Sequence, residues 1–381
     1  MSHYFSESYM WSHAMLLALG TIPWGGGEIG EIDAVGQRLQ GRVGDNTAWY
    51  EGWYQMAGKV EALAAQAAQA GHDVTARETY LRVCNYYHLA ERFLPPQDER
   101  KLAAYQKARA CFAQAATRLT PPVERVDIPY EGSALPAYFV PAEGARDART
   151  PAVVFFDGLD VTKEQLYLMG GRELVKRGLA CLIVDGPGTG EALRERNLHL
   201  RPDYERPAAA AVDYLETRSD VDPQRIGIMA LSLGGYYAPR AAAYEKRLKA
   251  CAVWGAIYDY HEVWQRRIAA GVRTGSSVSA PLFQIQWVLG AKSPEEALEK
   301  LKAFTLKDAA PHITCPLLIV HGEEDAQIPL VDAQKLYDAA GSARKQLKIL
   351  TAAEGGAMHC QLDNLHLAHY YIFDWLANTL R

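Results

Sequence analysis

Beyond Pro121-Pro122 the chain alternates repeatedly between short apolar runs and amphipathic stretches of helical length. The runs are Val126–Tyr130, Leu135–Val140, Ala152–Phe156, Ala180–Val184, Arg225–Met229, Ala250–Trp254, Leu317–Val320 and Gln346–Leu350. Strands apolar on both faces must be covered on both faces, and helices between them supply the cover. Helical patterns at Lys163–Arg177, Tyr204–Ser219 and Val331–Ala340 fit that role. The spacing therefore predicts an α/β fold built on a mostly parallel sheet. The first two runs, joined at Glu131-Gly132-Ser133, read as an antiparallel hairpin on its edge. The interval from about 257 to 311 is too long for one crossover and reads as an inserted lid. Its helical pieces are Glu262–Ala270, Ala280–Leu289 and Pro294–Phe304.

Residues 1–122 have a different texture, which divides the chain into a helical N-terminal cap domain (1–122) and a catalytic domain (123–381). Trp49, Trp53, Met56, Val60, Leu63 and Ala67 fall at helical steps before Gly71. Thr75 and Glu78 form a capping box for a second helix, which ends at Pro95-Pro96. A third runs from about Asp98 to Leu119. No period relates the three, which read as a helical cap rather than a repeat array. The cap carries Trp49, Tyr50, Trp53, Tyr54, Tyr86 and Tyr87, most of them read as core and a few as a roof for a bulky planar substrate.

A net charge of −5 without a basic run argues against nucleic acid as a partner. The six cysteines have no C-x-x-C pair, which fits a reduced compartment better than disulfides or a zinc cluster. The apolar stretch Ala14–Trp24 lacks the basic flank and cleavage site of a signal peptide. No run approaches the ~18 apolar residues that span a bilayer. The expectation is a cytoplasmic protein without a membrane partner.

Chemistry concentrates where the run Arg225–Met229 meets Ala230-Leu-Ser232-Leu-Gly234-Gly235. Strand, small-x-Ser-x-Gly turn and helix are the context of a nucleophile elbow, with Ala230 in place of the usual first glycine. The alternative is a serine that merely caps the helix. A serine nucleophile needs a base and an orienting acid, here in chain order Ser, Asp, His. Asp325, in the loop after Leu317–Val320, is the acid candidate, with Glu323 and Glu324 as competitors. His359 is the base candidate; His366 and His369 fall inside the last helix, where packing explains them. The oxyanion hole requires two backbone N–H groups. Leu233 follows the nucleophile, and Leu159 lies in the loop Asp157-Gly158-Leu159-Asp160, where Gly158 permits close approach. Gly25-x-Gly27-x-x-Gly30 resembles a dinucleotide fingerprint but lacks a preceding strand. Asp185-Gly-Pro-Gly-Thr-Gly190-Glu191 lacks the Lys-Ser/Thr ending of a phosphate loop and reads as a crevice wall. His366-x-x-His369 implies no metal, and the chemistry needs no cofactor.

The elbow, Gly158-Leu-Asp160-Val-Thr-Lys163-Glu164, the Asp185–Glu191 motif and Tyr80-Leu-Arg-x-x-x-Tyr86-Tyr87 carry a resemblance over nearly the whole chain. The chain resembles the α/β-hydrolase group that includes 2,6-dihydropseudooxynicotine hydrolase, fungal melanin-pathway polyketide-shortening hydrolases and relatives of the fermentation/respiration switch protein. The resemblance implies an α/β-hydrolase fold, a Ser232–Asp325–His359 triad and a homodimer. It also implies water-driven cleavage of a carbon–carbon bond beside a ketone in 1,3-diketone-like substrates. By the same resemblance Glu262 is the candidate for an auxiliary acid; Gly158 and Asp160, in the loop after Phe156, are further candidates for substrate contact. A carboxylesterase or amidase with the same triad is the nearest alternative; a non-catalytic regulator on this fold is the distant one.

Overall fold

The computed structural model describes residues 4–144, 149–274 and 281–381. Its compact units are residues 1–123 with 271–283, and residues 124–270 with 284–381.

In the first unit the chain forms α1 (Tyr9–Gly20), α2 (Ile29–Leu39), α3 (Asn46–Gln69), α4 (Asp73–Glu91) and α5 (Glu99–Ala116). Ser8, Asp45 and Asp98 cap α1, α3 and α5 by accepting the N–H groups of Trp11, Ala48 and Arg100. The buried stripe of α3 runs through Trp49, Gly52, Trp53, Ala57, Val60, Ala64 and Ala67. Leu63, expected on that stripe, is 56% exposed, because the drift of a 3.6-residue turn carries the buried face to Ala64 instead. Trp49 and Trp53 are fully buried; the Trp49 ring packs on Trp11 and Phe93, and its Nε1 donates to Leu89 O at 2.7 Å. Tyr86 and Tyr87 are buried beside them, their hydroxyls on Glu31 and Glu61. These rings belong to the unit's own core.

One expectation shifts here. Helix α4 begins at Asp73 rather than at the Thr75 capping box, since Gly71 (φ +72°) ends α3 and leaves only a tight turn. The apolar Ala14–Trp24 stretch lies in α1 and a following single turn, with Trp11, Ala14, Met15, Leu17 and Ala18 buried.

The second unit holds an eight-stranded sheet in the order β1-β2-β4-β3-β5-β6-β7-β8. Its strands are β1 (Glu124–Tyr130), β2 (Ser133–Val140), β3 (Thr150–Phe156), β4 (Ala180–Val184), β5 (Val221–Leu231), β6 (Ala250–Trp254), β7 (Leu317–Gly322) and β8 (Lys345–Leu350). β1 and β2 form the edge hairpin, β2 meets β4 antiparallel, and the remaining pairs are parallel. Every residue of β4 and β6 is buried, as two-sided helical cover requires. The strand order reverses between β3 and β5, so the crevice beyond their carboxyl ends is where this architecture places a ligand.

Lys163–Arg177, expected as one helix, is broken into a short helix (Lys163–Leu166), a π turn (Tyr167–Gly171), and α and 3₁₀ turns. Gly170 and Gly171 explain the break. A Cβ on Gly170 would lie 2.8 Å from the Phe373 ring, and one on Gly171 2.5 Å from Ile183, so the backbone itself is pressed onto its neighbours. The 257–311 segment is closed at its base by Tyr260 N–H to Phe304 O (2.9 Å) and Leu306 N–H to Tyr258 O (2.8 Å). It carries helices Tyr260–Thr274, Leu282–Leu289 and Pro294–Leu301; Ala280, the expected start of the second, lies outside the described residues. No helix among the described residues is long and apolar enough to cross a membrane.

Candidate active site

β5 delivers Ser232 into the left-handed region at φ +59°, a conformation costing a non-glycine residue about 1–3 kcal/mol. Two bonds hold it there: Ser232 N–H to Trp254 O (2.9 Å) and Gly235 N–H to Ser232 O (2.7 Å). The turn is tight enough that a Cβ on Gly234 would lie 2.5 Å from the Ala230 methyl. Alanine at 230 is therefore compatible only with glycine at 234. The helix Gly234–Tyr244 follows at once.

His359 opens a short 3₁₀ turn (His359–Gln361) ahead of the last helix, rather than the helix itself. Gln361 accepts the Trp254 indole N–H at 2.8 Å, which ties this turn to β6. The structure places His359 Nε2 2.9 Å from Ser232 Oγ and Nδ1 2.7 Å from Asp325 Oδ2. The other Asp325 oxygen accepts the N–H groups of Gln327 (2.8 Å) and Ile328 (2.9 Å). Burial works against charge on both members of the pair. Their mutual attraction outweighs it, holding Asp325 below the ordinary carboxylate range and raising His359 above the ordinary imidazole range. The competitor Glu323 turns away and accepts Ala352 N–H at 2.6 Å.

Gly158 brings the loop after β3 against the elbow: a Cβ there would lie 2.8 Å from Ser232 Cβ and 3.1 Å from Leu233 N. Leu233 and Leu159 are buried, and neither N–H donates to a protein acceptor among the described residues. Leu233 follows the serine and Leu159 follows Gly158, so these are the residues from which an oxyanion hole would draw its two N–H donors. Asp160 is half-buried in the same loop.

Glu262 is not brought to this group. Its carboxylate is 43% exposed and pairs with Lys335 at 2.9 Å and Arg266 at 3.4 Å, and Lys335 holds it below its usual range. It stands on the first turn of the Tyr260–Thr274 helix, facing cations outside the triad.

Three residues escaped the sequence reading, and a fourth, Asp157, was read only as part of its loop. His321, fully buried in β7, accepts Ala256 N–H on Nδ1 (3.1 Å) and donates from Nε2 to Ile328 O (3.0 Å), steadying the acid loop. Arg267 fastens the same loop through two 3.2 Å bonds to Gln327 O. Cys360 places its Sγ 3.5 Å from His359 Nε2. Asp157 is buried, and burial first, then Asp160, pushes its carboxyl well above the ordinary range. His321 directly follows the apolar run Leu317–Val320; nothing local marked Arg267 or Cys360.

The family model described as "Esterase FrsA-like" matches residues 38–267. The chain belongs to this esterase family. The "Prolyl oligopeptidase family" model matches residues 170–381, so this FrsA-like chain is an α/β-hydrolase across its second half too. Over 99% of its length it is 32% identical to hydrolase LUC6 of a Fusarium species, covering 98% of that protein. It is 31% identical to 20-hydroxy-prefusarin hydrolase of Gibberella moniliformis over the same shares of the two chains. The crystal structure of 2,6-dihydroxy-pseudo-oxynicotine hydrolase superposes with a TM-score of 0.80 and 26% identity, covering 95% of each chain. The enzyme is thus a hydrolase of the α/β-hydrolase type.

Proposed function

We propose that this hydrolase uses Ser232 as nucleophile, His359 as base and Asp325 as the acid that orients His359. Its reaction is hydrolysis of a carbon–carbon bond beside a ketone in a bulky, aromatic or polyketide 1,3-diketone. The observation that carries the reading is the unbroken relay from Ser232 Oγ through His359 to Asp325, at 2.9 and 2.7 Å. Similarity to the pseudo-oxynicotine and prefusarin hydrolases along nearly the full chain supports the substrate class.

His359 takes the Ser232 proton as Oγ attacks the carbonyl carbon, and the N–H groups of Leu233 and Leu159 hold the oxyanion. The carbon–carbon bond breaks, and its electron pair leaves as an enolate stabilised by the second carbonyl. The His359 proton completes the released ketone. Water, deprotonated by His359, then attacks the acyl-enzyme; a carboxylic acid leaves and Ser232 recovers its proton. Carboxylester hydrolysis is the second reading, favoured by the esterase family match; the same steps apply with an alkoxide as leaving group.

A fluorophosphonate probe tests the nucleophile. Intact and peptide mass spectrometry should find one covalent adduct, on Ser232. An unlabelled protein, or an adduct elsewhere, would contradict the assignment.

A further inference from the structure

Of the two sequence motifs Gly158–Glu164 and Asp185–Glu191, the chemistry above uses only Gly158 and Leu159. The fold joins the two motifs through one buried carboxylate at the end of β4. Asp185 Oδ1 accepts the backbone N–H of Lys163 at 2.8 Å, and Oδ2 accepts that of Glu191 at 2.8 Å. Lys163 and Glu191 stand in the first turns of the short helices that follow the two loops. One side chain therefore ties down the exits of both loops at the crevice.

The rest of the cluster makes that carboxylate hard to move. The Lys163 ammonium lies 2.9 Å from Asp185, 3.0 Å from Glu191 and 3.0 Å from Glu164. Lys163, Glu164, Asp185 and Glu191 are all at most 2% exposed. Arg125 closes the outer side by binding both Glu191 oxygens, at 2.8 and 2.9 Å. Gly190, at φ +45°, is required here, since a Cβ would fall 2.0 Å from the Asp185 carboxyl carbon. A buried ion cluster of this kind is weak evidence for stability, because desolvation offsets much of the attraction. What it does supply is fixed geometry.

The loop so fixed is the one that presents Leu159. At its entrance, β3 pairs with β5 up to Phe156 opposite Ala230, and Gly158 packs on Ser232. At its exit stands the Asp185–Lys163 bond.

We propose that Asp185 is a positioning residue for the oxyanion hole: through the Lys163 N–H and ammonium it holds the 158–162 loop so that Leu159 N–H stays aimed beside Ser232. Asp185 touches neither substrate nor the triad; it acts on turnover through the loop. The inference rests on the serine-hydrolase reading.

The test uses Asp185→Asn in the full-length enzyme, assayed with p-nitrophenyl acetate well below its melting point. Removing one oxyanion donor outright costs about 10²–10³ in kcat, so misplacing one should cost about 10- to 100-fold. KM should stay within about three-fold, because the donor acts in the transition state. The Ki of an aryl trifluoromethyl ketone, whose Ser232 adduct carries the same oxyanion, should rise by the factor that kcat falls. Asp185→Glu is the second variant. It keeps a charge for the Lys163 ammonium but displaces the acceptor from the N–H, and the same kcat-selective loss is expected. Arg125→Gln loosens the cluster at its half-exposed outer arm, and should lower Tm without moving kcat or Ki.

Folded Asp185 variants with wild-type kcat and Ki would overturn the proposal. So would Arg125→Gln losing kcat as much as they do, since general loosening would then explain the loss. If wild-type enzyme takes no fluorophosphonate, the serine-hydrolase reading itself fails. If wild type and Asp185→Asn are labelled at equal rates, only the clamp fails.

Discussion

Ser232→Ala will lower kcat by about 10⁶-fold, the loss expected when the nucleophile of a cooperating triad is removed. The fold should survive. Alanine at φ +59° carries no more strain than serine there, and both backbone bonds that hold the elbow remain. Turnover should still exceed the uncatalysed rate by about 10³–10⁴, from binding and the oxyanion donors alone. Steady-state kinetics with an activated ester, beside circular dichroism of the variant, read both effects. Retention of more than a few per cent of wild-type kcat would show that the serine is not the nucleophile.

Asp325→Asn should cost about 10⁴-fold in kcat. The amide can present an N–H to His359 Nδ1 at the 2.7 Å contact, which selects the tautomer whose Nε2 can no longer accept the Ser232 proton. The pH profile gives an independent check. The base must be unprotonated, so kcat/KM rises with pH through the His359 pKa. Burial alone would lower that pKa; the Asp325 charge raises it above the ordinary value. Removing the charge moves the acid limb to lower pH. An acid limb that stays in place, or moves upward, would show that Asp325 does not set the charge on His359.

The parts of the fold written in local periodicity were legible. All eight apolar runs coincide with strands, including the edge hairpin; the central strands, buried on both faces, leave a continuous apolar signature, while the edge strands β1 and β8 are only partly buried. The elbow was legible because its steric demands are local: small residues at 230 and 234 on either side of Ser232. Asp325 and His359 followed from chain order, and the structure places His359 between Ser232 and Asp325. What the local pattern did not reveal depends on distant partners. The π turn at Tyr167–Gly171 is imposed by Phe373 and Ile183. Glu262 was placed by resemblance through an inserted segment, where its own helix and Lys335 decide its direction. The Lys163–Asp185 pair spans two motifs that look unrelated until β4 sets them side by side.

The most direct measurement of the account is hydrolysis of two substrates by the purified enzyme, an aryl 1,3-diketone and a p-nitrophenyl ester, with Ser232→Ala alongside. Product analysis of the diketone should give one carboxylic acid and one methyl ketone in equal amounts, with kcat/KM above that for the ester and both activities lowered about 10⁶-fold in Ser232→Ala. Fast ester turnover with the diketone untouched would contradict carbon–carbon hydrolysis and make the enzyme a carboxylesterase.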